Sequence, residues 1–105
     1  MKFSEILATL NSADHLQRIE LTDAKGIVET IENKPGSQGS LKVYFHLFQK
    51  HGRINSAAAK EGLKLYAEHT EDAQLNPGKH PNIDRLIDVI ESGQEWTVRL
   101  FPEQS

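Results

Sequence analysis

The chain is expected to fold as an α+β domain. It should hold a small antiparallel three-stranded sheet, a hairpin plus a C-terminal strand, packed against three to four helices in the order α-β-β-α-α-α-β. Three observations carry that expectation. Residues 18–33 contain two strand-like runs joined by Asp23-Ala24-Lys25-Gly26, a hairpin connection in which Gly26 is free to take positive φ. Three segments between residues 41 and 92 show helical apolar spacing. Glu95 to Phe101 alternates again, with Trp96, Val98 and Leu100 on one side, and closes before Pro102. Strands that come mostly as a hairpin, with helices grouped between, indicate this class.

Each element has a local reason. Ser4 to Leu10 reads as a short helix with Phe3, Ile6, Leu7 and Leu10 on one side, broken by the turn formers of Asn11 to His15. Arg18 to Thr22 alternates as a strand, with Ile19 and Leu21 to one side. Ile27 to Asn33 returns as the second, with Ile27, Glu29 and Ile31 on one face. The most apolar segment follows. Leu41, Tyr44, Phe45 and Phe48 define a helix face that Val43 and Leu47 widen, leaving Lys42, His46, Gln49 and Lys50 as a narrow polar stripe. A helix so apolar around its circumference is expected to be buried. Ser40 is expected to cap it and Gly52 to end it in the left-handed conformation. Ser56 to about Gln74 reads as the longest helix, and Gly62 within it, which costs about 1 kcal/mol against Ala, points to a close helix crossing. Pro77 stops that helix at Asn76. Asn82 is expected to cap a last helix with the stripe Ile83, Leu86, Ile87 and Ile90, ended by Ser92-Gly93.

At 105 residues, 37% hydrophobic and 26% charged, the chain suits one globular domain over 1–105. With no cysteine, disulfides, thiolate zinc sites and cysteine nucleophiles are excluded. A formal charge of −3 gives no global pull toward nucleic acid, so anion binding would need a local cluster. The N-terminal run MKFSEILATLNSADHL is too short and too polar for a signal peptide or a membrane span. A soluble, cytoplasmic protein is expected, with no cofactor.

The stretches NKPGSQGSL, AEHTEDA and NPGKHPNIDRL, within a run from Ile31 to Leu86, resemble a family of short bacterial proteins catalogued as a domain of unknown function. The resemblance implies a stand-alone bacterial protein and brings neither catalytic residues nor a ligand.

Two constellations carry possible chemistry. The glycine loop Lys34-Pro35-Gly36-Ser37-Gln38-Gly39-Ser40 precedes a helix start, where backbone N–H groups and a partial positive charge favour anions. It matches no nucleotide-binding motif, and the plainer reading is a strand-to-helix connection. If the loop Pro77-Gly78-Lys79-His80-Pro81 lies beside it, then Lys34, Ser37, Gly39, Ser40, Lys79, His80 and Arg85 form an anion or partner site. The alternative is a metal or catalytic site from His69, Asp72, His80 and Asp84, since imidazole with carboxylate suits zinc, iron or manganese. No recognised ligand spacing supports it, and a local His69–Asp72 ion pair explains the same residues. Ser37, His80 and Asp84 have the types of a hydrolase triad, but no GxSxG elbow is present.

The leading expectation is therefore a non-enzymatic binding or interaction module for a protein partner or small anion, acting through the 33–40 and 77–82 loops. A homodimer through a free sheet edge is a further expectation.

Overall fold

The strand Leu16–Thr22 (β1) lies at the centre of the sheet, paired antiparallel on one side with Val28–Glu32 (β2) and on the other with Thr97–Pro102 (β3). The structure, a computed structural model, describes residues 1–102. Five helices complete it: Phe3–Leu7 (α1), Gln38–His51 (α2), Ser56–Leu65 (α3), Glu68–Leu75 (α4) and Pro81–Ser92 (α5). The α+β class, the three-stranded antiparallel sheet and the order of elements agree with the sequence reading, with one expected helix divided into two so that there are five rather than three to four.

The hairpin turn forms as its residues dictate. Gly26 has φ 84°, and Asp23 Oδ1 accepts from the backbone N–H groups of Lys25 and Ile27, each at 2.9 Å. One sheet face packs on the helices through Leu16, Ile19, Leu21 and Ile31. The second strand departs from expectation, because Ile31 alone of its residues is buried and Glu29 turns out to Arg85. An edge strand with one buried residue needs no second apolar position.

α2 is the buried helix, with Leu41, Val43, Tyr44, Phe45 and Leu47 in the core and Gly52 closing it at φ 79°. It crosses α3 and α5 at Gly62. A Cβ built there would lie 2.6 Å from Leu86 Cδ1 and 3.0 Å from Leu47 Cδ1, so the glycine is what lets three helices meet.

Several local expectations are corrected. α1 ends at Leu7, not Leu10. Ser37, not Ser40, occupies the cap position of α2, and Ser40 sits inside the first turn. His80, not Asn82, occupies that of α5, with Pro81 at the first helical position, where its missing N–H is no loss. The long helix is two, α3 and α4. The Leu63 carbonyl accepts from Thr70 Oγ1 at 2.6 Å, the Ala67 N–H bonds to Lys64, and Ala67 adopts φ 52°. Positive φ is unfavourable for a residue with a Cβ and persists only where surrounding contacts impose it. Those contacts are the buried Tyr66, stacked on Phe3 at 5.3 Å, and Glu68, which accepts from the Phe3 N–H at 2.7 Å.

Candidate functional site

A cavity of about 470 Å³ opens where the start of α1, the start of α2, the α3–α4 break and the start of α5 meet. Gly36, Gln38, Gly39 and Ser40 come from one Pro/Gly loop and Lys79, His80, Pro81 and Asn82 from the other, so the two loops converge. Phe3, Leu7 and Ile83 supply an apolar wall, and Tyr66 and His69 complete the lining. Gly39 permits this closure: a Cβ there would meet Phe3 Cε2 at 3.2 Å and Leu7 Cδ1 at 3.3 Å.

The polar wall is rich in donors. Neither Ser37 nor His80 caps its helix with a side-chain hydrogen bond, and Ser37 Oγ donates back to the carbonyls of Glu32 and Lys34. Among the described residues the backbone N–H groups of Gln38, Gly39 and Ser40 have no acceptor. α2 thus begins at the cavity with three unpaired N–H groups and no acidic residue in its first turn, whereas α5 begins with Pro81, which has no N–H, and carries Asp84 in its first turn. Tyr66 Oη donates to Ser40 Oγ at 2.7 Å. Burial pushes the Tyr66 phenol far above its ordinary range, so it stays protonated and remains the donor. Ser40 therefore keeps its own proton for another acceptor.

Asp72 organises the rest. His80 Nε2 lies 2.6 Å and Lys79 Nζ 3.0 Å from Asp72 Oδ2. Hydrogen bonds from His80 and Lys79 hold the Asp72 carboxyl down at about 2, despite some desolvation. His69 packs edge-on against Phe3 at 5.0 Å between ring centroids and lies 5.6 Å from His80.

A family model for an uncharacterized protein conserved in bacteria, DUF2322, matches residues 3–100. The chain belongs to that family. No curated protein and no solved structure matches it. The family match spans every residue that lines the cavity.

Gly39, Ser40, Lys79 and His80 come together at the cavity, but three other residues of the expected anion cluster do not join them there. Lys34 pairs with Glu32, and Ser37 is spent on backbone carbonyls. Arg85 is buried, bonded through Nε to Glu29 at 2.6 Å and through Nη1 to Tyr44 Oη at 3.0 Å and Asn82 Oδ1 at 2.9 Å. Burial opposes its charge, yet Tyr44 and Glu29 more than offset that and raise its pKa. A cross-link from β2 to α5 is its structural role.

The expected local pair of His69 with Asp72 is not what forms, since Asp72 takes His80 and Lys79. Ser37, His80 and Asp84 take separate partners: Ser37 the Glu32 and Lys34 carbonyls, His80 the Asp72 carboxylate, and Asp84 the Gly78 N–H at 2.9 Å. Among the described residues no three His, Asp or Glu side chains are placed to hold a metal ion. Phe3, Gln38 and Tyr66 were not among the sequence candidates. Tyr66 carried only the signal of a helical core position.

A second charged cluster lies on the α2–α3 crossing. Glu61 takes His46 Nε2 at 2.8 Å, His51 Nε2 at 2.9 Å and Lys50 Nζ at 3.0 Å. Burial works against its ionisation, but hydrogen bonds from His51, His46 and Lys50 hold its carboxyl at about 2.

Proposed function

We propose that the chain is a binding module that takes a small anionic ligand with an apolar portion in the cavity between the 33–40 and 77–82 loops. The observation that supports it is the meeting of two helix starts without side-chain caps at one cavity. The unpaired N–H groups at the start of α2 favour a carboxylate or phosphate, and Lys79, which lines the cavity while paired with Asp72, adds a cation. Phe3, Leu7 and Ile83 accept the apolar portion. A metal-binding role for His69, Asp72, His80 and Asp84 is the less supported alternative, because Asp72 is already shared by an imidazole and an ammonium and Asp84 by a backbone N–H.

Isothermal titration with inorganic phosphate, succinate and phenyl phosphate tests the proposal. At least one should bind, and Lys79→Ala should weaken it about tenfold, the scale of one charge-assisted hydrogen bond. No heat from any of the three, or unchanged affinity in Lys79→Ala, would overturn the reading.

A second reading, a homodimer formed by pairing of β2 with its copy, is favoured by Ile27 and Val28, which are 52% and 53% exposed at that edge. Sedimentation equilibrium decides it, and a monomer at every concentration examined removes it.

A further inference from the structure

The Asp72–His80 pair does more than neutralise charge beside the cavity. A carboxylate bonded to Nε2 holds the imidazole proton on that nitrogen, so in the neutral ring Nδ1 carries the lone pair. Among the described residues, Asp72 is the hydrogen-bond partner His80's ring has. His80 itself lines the cavity. His80, held by Asp72, thus lines the same cavity as Gln38, Gly39 and Ser40, whose backbone N–H groups have no acceptor among the described residues. Base and oxyanion donors around one concavity are the two parts that acyl hydrolysis by water needs.

We propose that this cavity hydrolyses a carboxylic ester or thioester that bears an anionic group, with His80 as general base. The inference rests on the anion-binding reading above. A water molecule attacks the carbonyl carbon and gives its proton to His80 Nδ1, while donors at the start of α2 hold the oxygen that becomes negative. The tetrahedral intermediate collapses, the bond from carbon to the leaving oxygen or sulfur breaks, and the imidazolium returns its proton to the leaving group. The products are the acid and the alcohol or thiol, and no further reactant is required. Ser40 is not the nucleophile: Tyr66 donates to its oxygen and so lowers its basicity. Asp72 is a positioning residue, and Lys79 holds the anionic end of the substrate. Cavity apolarity from Phe3, Leu7 and Ile83 accommodates the acyl chain.

The test compares 4-nitrophenyl hydrogen succinate with the neutral 4-nitrophenyl acetate, alongside titration with succinate itself. The charged ester should be the better substrate. His80→Gln, with folding checked by its circular-dichroism melt, should lose about a hundredfold or more in kcat while still binding succinate. Lys79→Ala should raise KM and leave kcat nearly unchanged, whereas Asp72→Asn should lower kcat and displace its pH profile, with Asp72, Lys79 and His69 the charged or titratable neighbours of His80. Succinate binding without hydrolysis above the buffer rate, or full activity in His80→Gln, would overturn the hydrolase assignment and leave the binding module intact. Failure to bind succinate, phosphate or phenyl phosphate would overturn both.

Discussion

Glu61 and Asp72 each hold imidazole and ammonium groups, yet they sit in different settings. Glu61 gathers His46, Lys50 and His51 across the α2–α3 crossing, and none of these lines the cavity. Asp72 gathers Lys79 and His80, and both do. The Glu61 carboxylate joins α2 to α3 through side chains that do not line the cavity. The Asp72 carboxylate is bonded to an imidazole that lines the cavity. The same pair of residue types joins two helices in one place and borders a cavity in the other, and the neighbouring space makes the difference.

The broadest break in this contrast is Gly62→Val, which drives a branched side chain into Leu86 and Leu47 and loosens the crossing that both clusters depend on. Urea denaturation should show a loss of about 2–3 kcal/mol. Next is Glu61→Ala. Its carboxyl falls from 4.5 to about 2 in the folded protein with a side chain 21% exposed, which, discounted for solvent screening, corresponds to about 2 kcal/mol of stability. Because the folded pKa is depressed, that stability is present above about pH 4.5 and is lost as the pH falls toward 2. The variant should therefore show a flatter acid limb in pH-dependent melting, with ligand affinity unchanged. The smallest stability effect is expected from Asp72→Asn, whose carboxylate is more exposed; the same melts should barely move while ligand and rate measurements do. A variant at Asp72 that destabilises as strongly as Glu61→Ala would erase the contrast.

Much of the fold was legible because it rests on short-range chemistry. Gly26 and Gly52 reach positive φ where their turn and helix end require it, and the period-2 and period-3.6 patterns mark the strands and helices they occupy. Gly62 was legible as a close crossing because a helix interior tolerates glycine poorly without such a reason. Half of the site was legible too. The loops that carry Gly39, Ser40, Lys79 and His80 announce themselves by composition, and those four residues meet at the cavity.

Partners in space were not legible. Asp72 lies three residues from His69 and eight from His80, and spacing along an ideal helix favours the nearer. The chain turns between α4 and α5 through Pro77 and Gly78, which carries His80 back over Asp72. Arg85 looked like a surface cation because nothing local shows that Tyr44, forty-one residues earlier, and Glu29, fifty-six earlier, close around it.

By itself, then, the sequence determined the class of fold, the order of its elements, its turns and its one buried helix, all of which follow from backbone preference and apolar periodicity over a few residues. Only the tertiary structure decided that β1 is central, that the long helix divides at Ala67, and that His80 rather than His69 is the imidazole held by Asp72. Those outcomes depend on contacts between distant residues, above all the burial of Tyr66 against Phe3 and Ser40, and no local preference encodes them.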